Sequence, residues 1–253
     1  MRILLRFMLI VVIAGVAWIV VLQPLALGHA RDGFKAYIQS IPVSGSKEEI
    51  KASYSLLWDF IPLKTEIENL KIQAPRGEWN EKVFFEPVIS VDYIKFDPKK
   101  LMIHSQTEVI EIGHVDFEGK VHFRTLLQML IEKNPNFHAR SIEQVDGNVI
   151  KIVGVLTEVQ SEVVLIGELK VNVDGQLEME IKRVVDFLNQ ELKDSRKVEK
   201  IKNAIDLKWR FNVMDVDLNV DSAAVSELGV YIKSESSGKN FRVGTEKQSN
   251  QEK

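Results

Sequence analysis

Residues 137–184 read FHARSIEQVDGNVIKIVGVLTEVQSEVVLIGELKVNVDGQLEMEIKRV. Period-two alternation over four runs, Phe137–Val145, Val149–Thr157, Gln160–Val173 and Gln176–Val184, predicts four successive strands. Asp146-Gly147 and Asp174-Gly175 stand at two of the junctions, and Asp-Gly supplies the positive φ that tight hairpins need. Hairpin links make antiparallel neighbours, so the stretch is an antiparallel meander. Val163, Leu165, Leu169, Val171 and Val173 share one face, as do Leu177, Met179 and Ile181. Glu162, Glu168, Lys170, Glu178, Glu180 and Lys182 share the other. One face is dry and one is wet. Val164 and Ile166 break the rule, so part of the outer face is expected to be covered as well.

Working outward, Thr65–Ile72, Val88–Phe96 and Thr107–Phe123 read as strand-like, the last broken by Gly113 and Gly119, and the inward-facing parity flips at Tyr93-Ile94. Arg124–Lys133 reads as a short apolar helix stopped by Asn134-Pro135, and Phe187–Ile205 as a longer charged helix. Lys208–Asp221 and Val225–Lys233 read as a last strand pair. Within it Leu207, Trp209, Phe211 and Val213 are odd-numbered, whereas Met214, Val216, Leu218 and Val220 are even. A one-residue bulge at Val213-Met214 would restore the pattern and bend the sheet. Ser46-Lys47-Glu48-Glu49 matches a capping box. Ile50, Tyr54, Leu57 and Ile61 follow at helical spacing, predicting a helix ended by Pro62. Long, bent strands with one dry face predict an α+β fold: a strongly curved antiparallel sheet wrapping helices.

The chain has 253 residues, 33 Lys+Arg, 36 Asp+Glu and no cysteine. That excludes a disulfide scaffold and thiolate metal sites, and lacks the positive excess of a nucleic-acid binder. Residues 1–30 hold 23 hydrophobic residues, two arginines and no acid; the remainder carries 31 basic and 36 acidic residues. Arg2 and Arg6 precede an uncharged run from Phe7 that continues past Gln23-Pro24 to Leu27. Twenty helical residues span roughly 30 Å, so the run is long enough for a transmembrane anchor. Gly28-His29-Ala30 also offers the small-x-small pattern of a cleaved signal. The expected layout is an anchor or signal over 1–30, a connector over 31–45, one domain over 46–233 and a disordered polar tail over 234–253. The short N-terminal flank places the domain on the extracytoplasmic side of the cytoplasmic membrane.

No phosphate loop, nucleophile elbow or zinc-protease motif is present in the sequence, and no cofactor is expected. His104, His114 and His122 share parity, but a metal reading needs them to converge, so solvent-facing or satisfied histidines are expected. The lysines and arginine of 193–202 read as a solvated helix face diluted by acids. The dry faces are the suggestive feature. If they are not filled by side chains, they can hold an acyl chain, which gains about 0.8 kcal/mol per buried methylene without any specific polar contact. Candidate lining residues are Val163, Leu165, Leu169, Val171, Leu177, Met179, Ile181, Trp209 and Phe211.

The segments VDYIKFDPKKLMIHSQTEVIEIGHVDFEGKVHFRTLLQMLIEK (91–133), DGNVIKIVGVL (146–156) with VVLIGELKVNVDGQLEMEIKRVVDFLNQELKDSRKVEKIKNAI (163–205), and LKWRFNVMDVDLNVDSAAVSELGVYIKS (207–234) resemble the LmeA family of phospholipid-binding envelope proteins. The likeness is one of pattern and element order over residues 46–233. It departs locally, because AIDLKWRF lacks the proline that often precedes the penultimate strand in that family. The resemblance implies a fold like that of the tubular lipid-binding (TULIP-like) modules, a phospholipid or other acyl lipid as partner, and no catalytic residues. A non-enzymatic envelope scaffold is the alternative expectation.

Overall fold

A computed structural model describes residues 23–46, 49–58, 65–104, 106–157, 161–186 and 190–236. In chain order the elements are α1 (Gln23–Ser40), β1 (Val43–Ser44), β2 (Lys51–Trp58), β3 (Thr65–Gln73), β4 (Arg76–Trp79), β5 (Lys82–Phe96), α2 (Pro98–His104), β6 (Val109–Ile112) and β7 (Val115–His122). There follow α3 (Phe123–Lys133), β8 (Phe137–Asp146), β9 (Val149–Leu156), β10 (Ser161–Val171), β11 (Leu177–Asp186), α4 (Ser195–Ala204), β12 (Lys208–Trp209), β13 (Phe211–Val213), β14 (Val216–Ser226) and β15 (Gly229–Ser236). The fold is α+β, with strongly curved antiparallel sheets and few helices.

The meander forms as its alternation requires. β8, β9, β10 and β11 pair in sequence order, every pair antiparallel, and β12 closes the five-stranded sheet. Gly147 and Gly175 carry φ of 51° and 67°, the conformation that the Asp-Gly junctions call for. On the wet face Lys170 and Lys182 both reach Glu180 at 3.0 Å. Val164 and Val185 face each other across that same side yet are only 7% exposed, so part of the outer face is covered.

The other sheet has ten strands in the order β1-β4-β5-β7-β15-β14-β13, with β3 and β6 also on β5 and β2 on β3. β5 is its spine. Fifteen residues at about 3.4 Å each reach roughly 50 Å, and the strand bends twice. Glu86, at φ 52°, marks a bulge where the register shifts between Phe85 and Val88. The second bend is the expected parity flip. Val91 and Ile94 both face inward, and Asp92 and Tyr93 between them bond His114 and Gly113, where β5 passes from β7 to β6. One hydrophobic cluster spans both sheets, and β14 approaches β10, with Val220 N–H donating to Gly175 O at 2.7 Å.

Several expectations are corrected. The capping box closes, with Ser46 N–H donating to Glu49 Oε2 at 2.7 Å and Glu49 N–H to Ser46 Oγ at 3.3 Å. It makes one turn only. The residues after it form β2, paired antiparallel with β3, because cross-strand bonding outweighs a weak local helix preference. Ile61 and Pro62 lie outside the described residues. The connector is not one: α1 runs to Ser40, and Ala30 and Phe34 are buried in the core. The stretch 107–123 breaks at Gly113, as expected, into β6 and β7, but β7 runs unbroken through Gly119, and α2 and β4 were not anticipated. The long helix is shorter. β11 continues to Asp186, and α4 starts only after Asp194, whose Oδ1 accepts from Arg196 N and Lys197 N.

Lys208–Asp221 is not one bulged strand. The chain leaves the five-stranded sheet after Trp209 and joins the ten-stranded sheet at Phe211. The parity change at Val213-Met214 is a two-residue hairpin with Met214 at φ 55° and Asp215 at φ 61°. β15 extends to Ser236, so the first three tail residues are strand; residues 237–253 lie outside the described part. The apolar run over 1–22 likewise lies outside it. Among the described residues no helix is long and apolar enough to cross a membrane.

Candidate binding cavity

The nine residues proposed from the alternation meet in the interior. Val163, Leu165, Leu169, Leu177, Met179, Trp209 and Phe211 are 0–3% exposed, and Val171 and Ile181 are half-buried against the same cluster. Trp209 donates Nε1–H to Leu126 O at 3.1 Å, and the Phe211 ring meets Phe84 with centroids 6.1 Å apart. These faces are packed against side chains. Trp209 borders a charged hollow of about 640 Å³ where Lys82, Lys133, Lys208 and Arg210 meet Glu132, Asp174 and Asp206. Lys133 there is paired with Asp206 at 2.7 Å. A third concavity, of about 690 Å³, is lined by residues that include Glu49, Lys51, Phe85, Glu86, Lys120 and His122; the His122 ring is 4.7 Å from that of Phe85.

Another opening, also apolar for the most part, lies elsewhere. A cavity of about 310 Å³ lies at a seam where five segments converge: the end of α1 (Tyr37, Ser40), Ile41-Pro42, the β4–β5 turn (Glu78, Trp79, Asn80), β6 (Val109, Ile112) and the β13–β14 turn (Met214, Asp215). Each segment is held by local bonds. Ser40 Oγ donates to Tyr37 O at 2.7 Å, ending the helix, and Glu78 N–H donates to Pro42 O at 2.8 Å. The rings of Phe34 and Tyr37 each pack 5.1 Å from Phe96, which fastens α1 to the end of β5.

Two tight hairpins frame the cavity. Asn80 and Glu81 sit at φ 50° and 64°, Met214 and Asp215 at 55° and 61°. Both loops therefore have two consecutive central residues at positive φ, as type I′ turns require, without any glycine. Non-glycine residues in that region carry backbone strain, which clusters at ligand sites. Asn80 Nδ2 donates to Asn212 Oδ1 at 3.1 Å and ties the two hairpins together.

Trp79 is the chemical focus. Its ring lies against Phe84 and Phe117, with centroids 5.7 and 6.3 Å away, and over Gly77, where a Cβ would come within 2.2 Å of the indole. The residue is 5% exposed, and its Nε1–H has no acceptor among the described residues. Leaving a buried donor unmatched costs about 1–3 kcal/mol, so such a group calls for explanation. The Tyr37 hydroxyl is pushed up to about 12 by burial and then by the Asp215 carboxylate, so it remains a protonated donor at neutral pH.

A polar cluster that the sequence did not suggest joins the ends of β7 and β15. His114 Nε2 is 3.2 Å from Asp116 and 3.6 Å from Glu235, and its Nδ1 is 3.1 Å from Ser236 Oγ. The ligand-type atoms of these first three residues lie within 4.8 Å of one another, a closeness that the imidazole–carboxylate contacts themselves explain. A hydrolytic serine must be exposed, whereas Ser236 is 4% exposed and accepts Val115 N–H at 3.0 Å. The cluster clasps two strands. His104 at the end of α2 and His122 at the end of β7 are not part of it.

Tyr37, Trp79, Met214 and Asp215 were missed as site residues because only long-range register brings them together. The one local signal was the Gly-Glu-Trp-Asn-Glu run at 77–81, a small residue two before a tryptophan at a tight turn. Comparison with protein families, with curated proteins and with solved structures finds no match to this chain.

Proposed function

We propose that this is a membrane-tethered, non-catalytic binding protein for an acyl lipid, a phospholipid above all. It stands on the outer side of the cytoplasmic membrane behind its N-terminal apolar run and takes part in envelope maintenance or lipid transfer. The observation that carries the reading is the seam cavity, where Trp79, Val109, Ile112 and Met214 of the ten-stranded sheet line an opening beside the end of α1. Its volume of about 310 Å³ lies at the lower end of the ligand-site range of roughly 300–1,000 Å³. That suits the end of a chain, with the headgroup outside. The finer analogy, a TULIP-like curved sheet enclosing lipid, rests on the sequence pattern and is part of this proposal. Native mass spectrometry of the full-length chain after exposure to phospholipid vesicles tests it. Adducts of phospholipid mass are expected; a bare chain in repeated preparations contradicts it.

A second reading, an envelope scaffold with a filled core, is favoured by one observation: seven of the nine interior candidates are 0–3% exposed. Leu165→Trp separates the two. Retained fold with lost lipid uptake means that chains enter between the sheets. Cooperative unfolding, the usual result of overpacking a full core, favours the scaffold.

A further inference from the structure

Resting on that lipid-binding reading, we infer that the charged hollow at the crossing between the sheets holds the lipid headgroup, and that it selects a zwitterionic one, a phosphodiester that carries an ammonium group. The seam has no lysine, arginine or histidine among its lining residues, so it offers a phosphate no counter-charge. The hollow does. Lys133 is neutralised there by Asp206, whereas Lys82, Lys208 and Arg210 have no ion-pair partner among the described residues. Two of these three cations are held by uncharged oxygens. Lys82 Nζ donates to Arg210 O at 3.4 Å. Gln176, with its amide turned so that the oxygen faces the guanidinium, accepts from Arg210 Nε and Nη2 at 2.8 Å each. Such partners fix a cation without cancelling its charge, and a pre-positioned group binds at a lower cost in ordering.

The acids of the hollow narrow the class. Glu132 and Asp174 also line it and also lack an ion-pair partner among the described residues. With four basic and three acidic side chains the lining carries one net positive charge. A phosphodiester matches that charge, whereas a phosphomonoester, at about −1.5 to −2, exceeds it. Two unmatched carboxylates beside the cations then favour a headgroup that brings its own ammonium, because complementary charges select a partner and like charges reject one.

Chain order ties the hollow to the seam. Asn80 lines the seam, and Lys82, two residues on, lines the hollow. Asn80 is bonded to Asn212 at 3.1 Å, and Arg210, two residues before Asn212, lines the hollow as well. A lipid whose acyl end enters the seam therefore has Lys82 and Arg210 beside its headgroup.

The test offers the full-length chain, in detergent micelles, an equimolar mixture of phosphatidylethanolamine, phosphatidylglycerol and diacylglycerol with identical acyl chains, and reads the adducts by native mass spectrometry. Phosphatidylethanolamine is expected to bind best, roughly tenfold tighter than diacylglycerol, the worth of one charge-assisted hydrogen bond. Arg210→Gln and Lys208→Gln, each at an exposed side chain, should bring those two lipids within roughly twofold of each other. Asp174→Asn preserves the turn, since Asn-Gly suits it as Asp-Gly does, and should erase the preference for ethanolamine over glycerol. Inorganic phosphate at the concentration of the lipids should leave the parent's ranking unchanged; if it abolishes the ranking, the hollow takes free phosphate and the headgroup assignment is overturned. If no lipid binds at all, the lipid-binding reading falls and this assignment with it. If the three lipids bind alike, or phosphatidylglycerol binds best, or the variants keep the parent's ranking, the headgroup assignment is overturned and the broader reading stands.

Discussion

Trp79 sits where it does because residue 77 is glycine. A methyl at Gly77 would meet the indole ring at 2.2 Å, so Gly77→Ala must push the ring away from Phe84 and Phe117. Overpacking of this kind costs about 1–3 kcal/mol. Urea unfolding should show that loss. Tyr37 gives a pH signature. Its pKa is raised from 10.0 to about 12 in the folded chain, so between those values the folded form binds more protons than the unfolded form. Stability is therefore complete below pH 10 and falls as pH rises to 12. Allowing for partial exposure, the loss is about 1–2 kcal/mol. Tyr93 is also raised to about 12, chiefly by its hydrogen bond to Glu111, so the Tyr37 share is read as a difference. Tyr37→Phe should lose less stability between pH 9 and 11 than the parent in denaturant titrations.

Asn134 joins the elements around α3 to the crossing between sheets. It is 6% exposed; its Nδ2 donates to Leu130 O and Asp206 O, and its Oδ1 accepts Asp206 N–H at 2.7 Å. Asn134→Ala strands the N–H and C=O of Asp206 at the lead into β12, whereas Leu130 O keeps the residue-134 N–H, and thermal unfolding should register a loss of about 2–3 kcal/mol. Asn134-Pro135 was legible as a helix stop but not as a clamp, because its partner lies 72 residues away. The same division holds across the elements. The meander was legible, since period-two alternation and Asp-Gly turns act locally. The capping box at Ser46 misled, since its two hydrogen bonds do form and the next residues nonetheless find a strand partner in β3. The break at Met214 was read correctly as a change of face and wrongly as a bulge. Two non-glycine residues at positive φ leave no compositional mark like that of Asn-Gly.

At the scale of the molecule, two curved sheets share one interior, and the chain passes between them at Arg210, from β12 to β13. Alternation identified the dry faces but could not tell a filled interior from a groove, because both demand the same residues. The candidate residues are buried in one cluster, and the opening lies at the seam. The seam draws on segments from residue 37 to residue 215, and beyond the Gly-Glu-Trp-Asn-Glu run at 77–81 none of them carries a local signal. The remainder beyond residue 30 carries a net charge of −5, which weakens general attraction to anionic bilayers. Lipid contact then depends on the tether and the cavity. The most direct measurement is photo-crosslinking of the full-length chain with a phospholipid bearing a diazirine near the end of one acyl chain, followed by peptide mapping. The account predicts adducts on peptides that contain Tyr37–Pro42, Glu78–Asn80, Val109–Ile112 and Met214-Asp215. Absence of adducts there, with labelling confined to residues 1–22, would contradict it.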